Sequence, residues 1–300
     1  TIPNSVTSIA DRAFAGASSL RAITIPDSVI SIGEKAFRFT SLTSITIPKS
    51  VITLGNYAFQ DITALQTVIF EADSQVTSLP VGLFWEATAL NTIAIPNSVT
   101  YIDEYAFYSN TSLASITFDG NAPGVRDSFI NVKPGAVAII SSSATGFTSD
   151  PWNGLRLAVL RNVTFDANGG TGTMSSQVAA VTTALSTNAF TRDGFTFAGW
   201  NTVINGSGVS YSPGADYSFA SDETLYAQWT AITYSVTFDA NGGTGTMSSQ
   251  VAAVTTALST NAFTRDGFTF AGWNTVINGS GVSYAPGANY SFASDATLYA

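Results

Sequence analysis

The chain has 300 residues, a formal net charge of −9, only 10% charged residues, and neither cysteine nor histidine. Without cysteine there is no disulfide framework and no thiolate metal site, and without histidine the commonest general base and metal ligand are missing. The eleven Lys and Arg are scattered singly, so no basic stripe exists for nucleic acid or for an anionic membrane surface.

Hydrophobic residues make up 45% of the chain, ample for packed cores. Thr, Ser, Asn and Gly fill the surface in place of charges. A Thr-rich, weakly charged surface suits a mainly β protein, because β-branched side chains fit pleated sheets. No apolar run reaches the roughly 18 residues of a membrane-spanning helix, so no membrane insertion is expected. The chain opens within one repeat and stops within another, so the natural protein is expected to be longer at both ends.

From the N-terminus a short unit recurs. An Ile-Pro pair ends an apolar strand at Ile2-Pro3, Ile25-Pro26, Ile47-Pro48 and Ile95-Pro96, and Phe70-Glu71 and Phe118-Asp119 hold the same register. A second marker tracks with it at Phe14, Phe37, Phe59, Phe84 and Phe107. In the unit that starts at Leu20, Ile23 and Ile25 form the strand, and Val29, Ile32 and Phe37 form the return. A unit of about two dozen residues cannot bury its apolar face alone, so neighbours must stack around a shared core. That core should contain Ile23, Ile25, Phe37, Ile45, Ile47, Phe59, Phe84, Ile93, Phe107 and Ile116.

The strings SLTSITIPKSVITLGNYAF and ALNTIAIPNSVTYIDEYAF resemble the BspA-type leucine-rich repeat of bacterial surface proteins. The resemblance covers residues 1 to about 160. It implies a leucine-rich-repeat solenoid and contacts with host proteins or other cells. One departure is the absence of the Cys that often follows the Phe, with Ala17, Thr40 and Thr88 in that area.

Between the inward strand residues lie outward ones: Thr24, Thr46, Ile69, Ala94 and Thr117. Beside them stand Ala22, Ser44, Thr67, Thr92 and Ser115. This small, uncharged ladder is either the partner-binding face or a plain solvated sheet, and it has no aromatic or Arg anchor of the kind that dominates interfaces.

Residues 119–160 break the pattern with Pro123, Pro134 and Pro151. They carry one apolar strand at Val137–Ile140 and then Trp152. This stretch is the expected cap over the last open coil.

A longer repeat starts at Val163 and again at Val236. Residues 163–227 and 236–300 differ only at Ser212/Ala285, Asp216/Asn289 and Glu223/Ala296. Apolar residues alternate at Val163 and Phe165, Phe195 and Phe197, and Leu225, Ala227 and Trp229, the period of a β-strand. Asn168-Gly169-Gly170, Asp193-Gly194 and Asn205-Gly206 supply turns. Four or five strands are expected, with Val178–Leu185 the only plausible helical turn. VTFDANGG, GFTFAGW and TLYAQW resemble the Listeria–Bacteroides repeat, the B-repeat-like module of internalin-like surface proteins. That resemblance implies a small β-grasp-like fold used as a stalk. The expected division is a solenoid over 1–118, its cap over 119–160, and modules over 162–231 and 234–300, the second truncated.

Several patterns carry a sharper reading beside a plainer one. Asp166-Ala167-Asn168 suggests a calcium loop, but it lacks the other acids and the distal Glu, and a strand-end turn is the better reading. Trp200, Trp229 and Trp273 would suit a sugar-stacking platform, but a module of about 70 residues needs them in its core. Asp103-Glu104 and Asp222-Glu223 are adjacent carboxylates that point to opposite sides of an extended chain, unlike a glycosidase pair. The Ser141-Ser142-Ser143 cluster has no partner base. No catalytic residue, metal ligand or cofactor is nominated, and the chain is not expected to be an enzyme.

The expected function is an extracellular, cell-surface or wall-attached adhesin. Its solenoid would face a protein or glycan on a host or neighbouring cell, and its modules would form a stalk. The alternative is a carbohydrate-binding accessory region of a larger secreted protein.

Overall fold

A computed structural model describes residues 2–300, and among them the regular structure is entirely β-strand. By contact the residues fall into two compact units. One runs to Val163 and takes in Gln177–Thr183 and Tyr217–Asp222; the other holds the rest.

In the first unit the chain coils, and three hydrogen-bonded ladders run along the coils. The longest strands form the first ladder. Ser44–Ile47 pairs parallel with Thr67–Phe70. Thr92–Ile95, Ser115–Phe118, Val137–Ile140 and Arg156–Val159 follow in parallel register. Two-residue strands form the second: Ser8–Ile9, Ser31–Ile32 and Thr53–Leu54, then Ser78–Leu79, Tyr101–Ile102 and Gly124–Val125. The two are joined by the Pro-x-Ser-Val turn. Val29, Val51 and Val99 donate back to the carbonyls of Pro26, Pro48 and Pro96. The Ser28, Ser50 and Ser98 hydroxyls donate across to the carbonyls of Val6, Val29 and Val76 in the preceding coil.

The third ladder is made by the return segments around the Phe markers. Alternate N–H groups reach the next coil: Tyr57, Phe59 and Asp61 donate to Val81, Leu83 and Trp85 carbonyls at 2.9, 3.0 and 2.8 Å. To keep this pattern each return places two residues in the left-handed region. The first slot holds Arg12, Lys35, Tyr57, Gly82, Tyr105 and Asp127, and the second Gly16, Phe39, Asp61, Glu86, Ser109 and Asn131.

Inside the coils the Phe rings stack. Phe14, Phe37, Phe59, Phe84, Phe107 and Phe129 follow one another at centroid distances of 5.2 to 5.6 Å. All ten expected core residues lie in this core except that Ile23 is half-buried at its edge. The first ladder is interrupted between Thr67–Phe70 and Thr92–Ile95, and the second between Thr53–Leu54 and Ser78–Leu79, on either side of one coil. The chain there is longer than in neighbouring coils, with Glu71-Ala72-Asp73-Ser74-Gln75 in place of the Pro-x-Ser turn.

Residues 119–159 do not break the coil pattern: they continue all three ladders. They also close its core, where Trp152 meets Phe118, Phe147 and Phe129 at 5.3, 4.8 and 6.2 Å.

The second module shows its arrangement within the other unit. Its five-stranded sheet takes Gln250–Ala252, Tyr234–Asp239, Ala296–Tyr299, Trp273–Asn274 and Ser283–Tyr284 in that order. Tyr234–Asp239 pairs parallel with Ala296–Tyr299 and the other pairs are antiparallel. Thr256–Ala257 and Asn289–Tyr290 form a separate two-stranded ladder. Each module therefore has seven strands, more than the sequence suggests. The helical turn for which Val178–Leu185 is the only plausible place does not form. Gln177–Ala179 pairs with Arg161–Val163, and Thr183–Ala184 is a second short strand. Val178, Val181, Thr182 and Thr183 disfavour helix through their branched Cβ, and the apolar run simply mimicked a helical face.

In the first module Phe195–Asn201 pairs antiparallel with Glu223–Ala231 through a bulge between Phe197 and Gly199. Gly199 has φ 139°, and a Cβ there would lie 2.4 Å from the Tyr211 carbonyl oxygen. Only glycine fits that close approach.

Candidate interaction surface

The strand row named from the sequence divides over the coils. Thr46 lies opposite Ile69 on the first sheet, and Ala94 lies opposite Thr117 on the next. The latter row runs on through Ile139 and Ala158. Thr24 precedes the first sheet and lies in no strand, yet with Thr46, Ala22 and Ser44 it lines a broad depression of about 950 Å³. Thr24, Thr46, Ile69 and Ala94 are exposed and Thr117 half-exposed. Ile69 keeps 49% of its surface. The row carries no ionisable side chain, so it can offer shape, methyl groups and hydroxyls but no acid–base chemistry.

The aromatic residues proposed for sugar stacking are elsewhere. Trp200 and Trp273 are each 1% exposed, packed among Phe165, Phe190 and Phe197 or their counterparts Phe238, Phe263 and Phe270. Trp229 is half-buried, and its indole N–H donates to the Ala167 carbonyl at 2.9 Å. The core reading of Trp200 and Trp273 is correct, and the sugar platform built on them is not available. Asp166 spends its carboxylate on the Asn168 N–H at 2.7 Å, which forms the expected turn. The Asp103 carboxylate accepts from Glu104 N–H, Glu104 pairs with Arg126 at 2.7 Å, and Asp222 accepts from Asn162 N–H at 2.8 Å.

A second outward surface was not foreseen. On the return ladder, Tyr57, Trp85, Tyr105 and Tyr108 from three successive coils meet. Trp85 lies 6.3, 5.4 and 4.6 Å from Tyr57, Tyr105 and Tyr108, and Tyr105 meets Tyr108 edge-on at 5.6 Å. All four are half-exposed. Gly82, between Tyr57 and Tyr105 in its slot, admits the ring: a Cβ there would lie 2.3 Å from Tyr57 ring atoms. Charges border the patch. Arg38 pairs with Asp61 at 3.2 Å, and the Trp85 indole donates to Glu86 at 3.3 Å. Burial pushes the Asp61 carboxyl above the ordinary Asp range despite Arg38, and the neighbouring Glu86 pushes the same way. The signal in the sequence was the run of large residues flanking the Phe markers, NYAFQ, GLFWE and EYAFYS. Their convergence depends on the coil register.

Residues 1–114 match the model of the BspA type leucine rich repeat region in six copies. Residues 162–228 and 234–300 match that of the Listeria-Bacteroides repeat domain. A Gly-rich protein of Evansella cellulosilytica, named as a membrane protein, is 38% identical over 120 residues, which cover 36% of this chain and 14% of that one. Internalin H of Listeria monocytogenes is 36% identical over 110 residues, covering 37% and 19%. The chain thus spans about a fifth or less of these relatives' length. Among solved structures it is similar to a leucine-rich repeat protein from Bacteroides ovatus, at 25% identity and TM-score 0.38, covering 53% of this chain and 44% of that one. It is also similar to the pneumococcal vaccine antigen PcpA, at 26% identity and TM-score 0.35, covering 39% and 29%.

Proposed function

As a BspA-type leucine-rich-repeat chain that carries two Listeria–Bacteroides repeat domains, this protein is, we propose, a non-enzymatic adhesin displayed outside the cell. The solenoid contacts a protein or glycan on a host or neighbouring cell, and the modules serve as a repeated stalk. The likeness to internalin H supports a surface role. In this reading the binding part is the solenoid over 1–118 with its closing segment 119–160, and the modules over 162–231 and 234–300 are spacers.

The observation that carries this division is the contrast in surface content. The two modules differ at three positions over residues 163–227 and 236–300, so they present nearly one surface twice. The solenoid coils differ at their outward slots, from Thr46 to Ile69 to Ala94. A varied surface selects one partner by shape and pairing, whereas a repeated one gains through avidity. Thr24, Thr46, Ile69, Ala94 and Thr117 are the contact row in this reading. Replacing Thr46, Ile69 and Ala94 together by Glu should remove at least about tenfold of the affinity for cells that bind the unaltered chain, since like-for-apolar charge replacement costs a dry contact more than about 1.4 kcal/mol. Flow cytometry with fluorescently labelled chain reads this directly. Unchanged binding would remove the row from the interface.

A further inference from the structure

The aromatic patch on the return ladder has the composition that the strand row lacks. Trp and Tyr are the residues that dominate protein interfaces. Here four of them lie side by side, half-exposed, on successive coils. None is needed to fill the core, which the stacked Phe rings already occupy.

Their backbone positions point the same way. Tyr57 and Tyr105 take φ of 59° and 60°, and Asp61 and Glu86 take 60° and 57°. Each such residue costs roughly 1–2 kcal/mol where glycine costs nothing. Gly82 and Gly16 show that glycine fits both slots. Non-glycine residues fill most of these slots in the other coils too, so the conformation belongs to the coil; what is particular to the patch is that Tyr57 and Tyr105 place rings there.

The charge balance decides the occupant. The patch's own cations are already paired: Lys35 with Glu34, Arg38 with Asp61, and Arg126 with Glu104. Glu86 makes no ion pair among the described residues, and it lies close enough to Asp61 to raise that carboxyl. A negative charge is therefore left over beside an aromatic surface. Elsewhere this chain settles cations on rings by itself. Arg192 lies 4.1 Å from Phe195 and Arg265 lies 4.4 Å from Phe268, and at the edge of the patch itself Lys35 Nζ lies 5.3 Å from the Tyr57 centroid. A flat sugar platform is disfavoured, because the Trp85 ring meets its neighbours at 54°, 62° and 40°, and Tyr105 meets Tyr108 at 88°.

We propose that Tyr57, Trp85, Tyr105 and Tyr108, with Glu86, form a docking site for a basic segment of a protein partner, whose Lys or Arg side chain is held between the rings and the Glu86 carboxylate. This site is separate from the strand row and does not depend on it.

The test uses the full chain and a fluorescein-labelled oligolysine peptide, followed by anisotropy at an ionic strength of about 0.15 M, where long-range attraction to the acidic protein is screened. Trp85→Ala should weaken binding about tenfold, the upper range of a cation–ring contact. Glu86→Gln, on an exposed side chain whose loss does not threaten folding, should weaken it about threefold. Gly82→Ala should also weaken it, because the added methyl displaces the Tyr57 ring. Ile69→Glu, on the strand row, should leave it unchanged. Several results would overturn the proposal: no binding of the peptide, equal binding by Glu86→Gln and the unaltered chain, or loss of a bound glycan on Trp85→Ala with no peptide binding at all. Failure of the strand-row experiment above leaves each of these readouts intact.

Discussion

Phe59 lies fully buried between Phe37 and Phe84, with ring centroids 5.4 and 5.6 Å away. Phe59→Ala should cost about 3–5 kcal/mol in denaturant unfolding, the loss expected when a buried aromatic leaves a cavity. A cost below about 1 kcal/mol would mean that the coil register is wrong. Acidic residues divide by use. Asp222 and Asp295 hold the same place in the two modules, accepting from the Asn162 and Ser235 N–H groups at 2.8 and 2.7 Å. Their neighbours Glu223 and Ala296 engage Thr164 and Thr237 only through backbone carbonyls. That explains how Glu and Ala can exchange between copies while the Asp does not. Asp295→Ala should cost about 1 kcal/mol, the net worth of one solvent-exposed hydrogen bond, and Glu223→Ala should change stability by less than about 0.5 kcal/mol. Thermal melts of the two variants check the contrast.

At the scale of elements, one amide organises the loop between two strands of each module, Asn201 in the first and the half-exposed Asn274 in the second. Asn201 is fully buried, and its amide donates to the Gly206 and Gly208 carbonyls and the Ser210 hydroxyl. Its oxygen accepts from the Val203 and Gly208 N–H groups. Asn201→Ala leaves several buried partners unmet, so a loss of about 2–4 kcal/mol is expected, with hydrogen exchange faster across residues 202–210. Much of this layer was legible. The Ile-Pro and Phe markers gave the coil and nearly all its core, because a repeat states its inward slots several times over. Val178–Leu185 left room for a helical turn because Val, Ala and Leu in a short run fit either period, and it forms short strands instead. The Tyr57–Trp85–Tyr105–Tyr108 patch was illegible because residues of three coils meet only once register and the Gly82 gap are known. Residues 119–159 hid their coils for a related reason: Pro123, Pro134 and Pro151 disrupt the marker pattern, while the ladders need only the strand backbone.

For the whole molecule, a varied solenoid and two nearly identical modules suit the different duties proposed for them. The solenoid coils carry distinct outward residues in two rows, one small and uncharged around Ile69 and one aromatic and acidic around Trp85. The modules bury their large Trp200 and Trp273 side chains in their own cores. Cell binding should therefore respond to surface changes in the solenoid and not to equivalent changes in the modules. The most direct measurement compares three versions of the 300-residue chain by flow cytometry on cells that bind the unaltered protein. One carries Ile69→Glu with Trp85→Ala, another carries Val209→Glu with Val282→Glu on exposed module sites, and the third is unaltered. Loss of binding by the solenoid variant alone is the predicted result; loss by the module variant with full retention by the solenoid variant would contradict the division of roles.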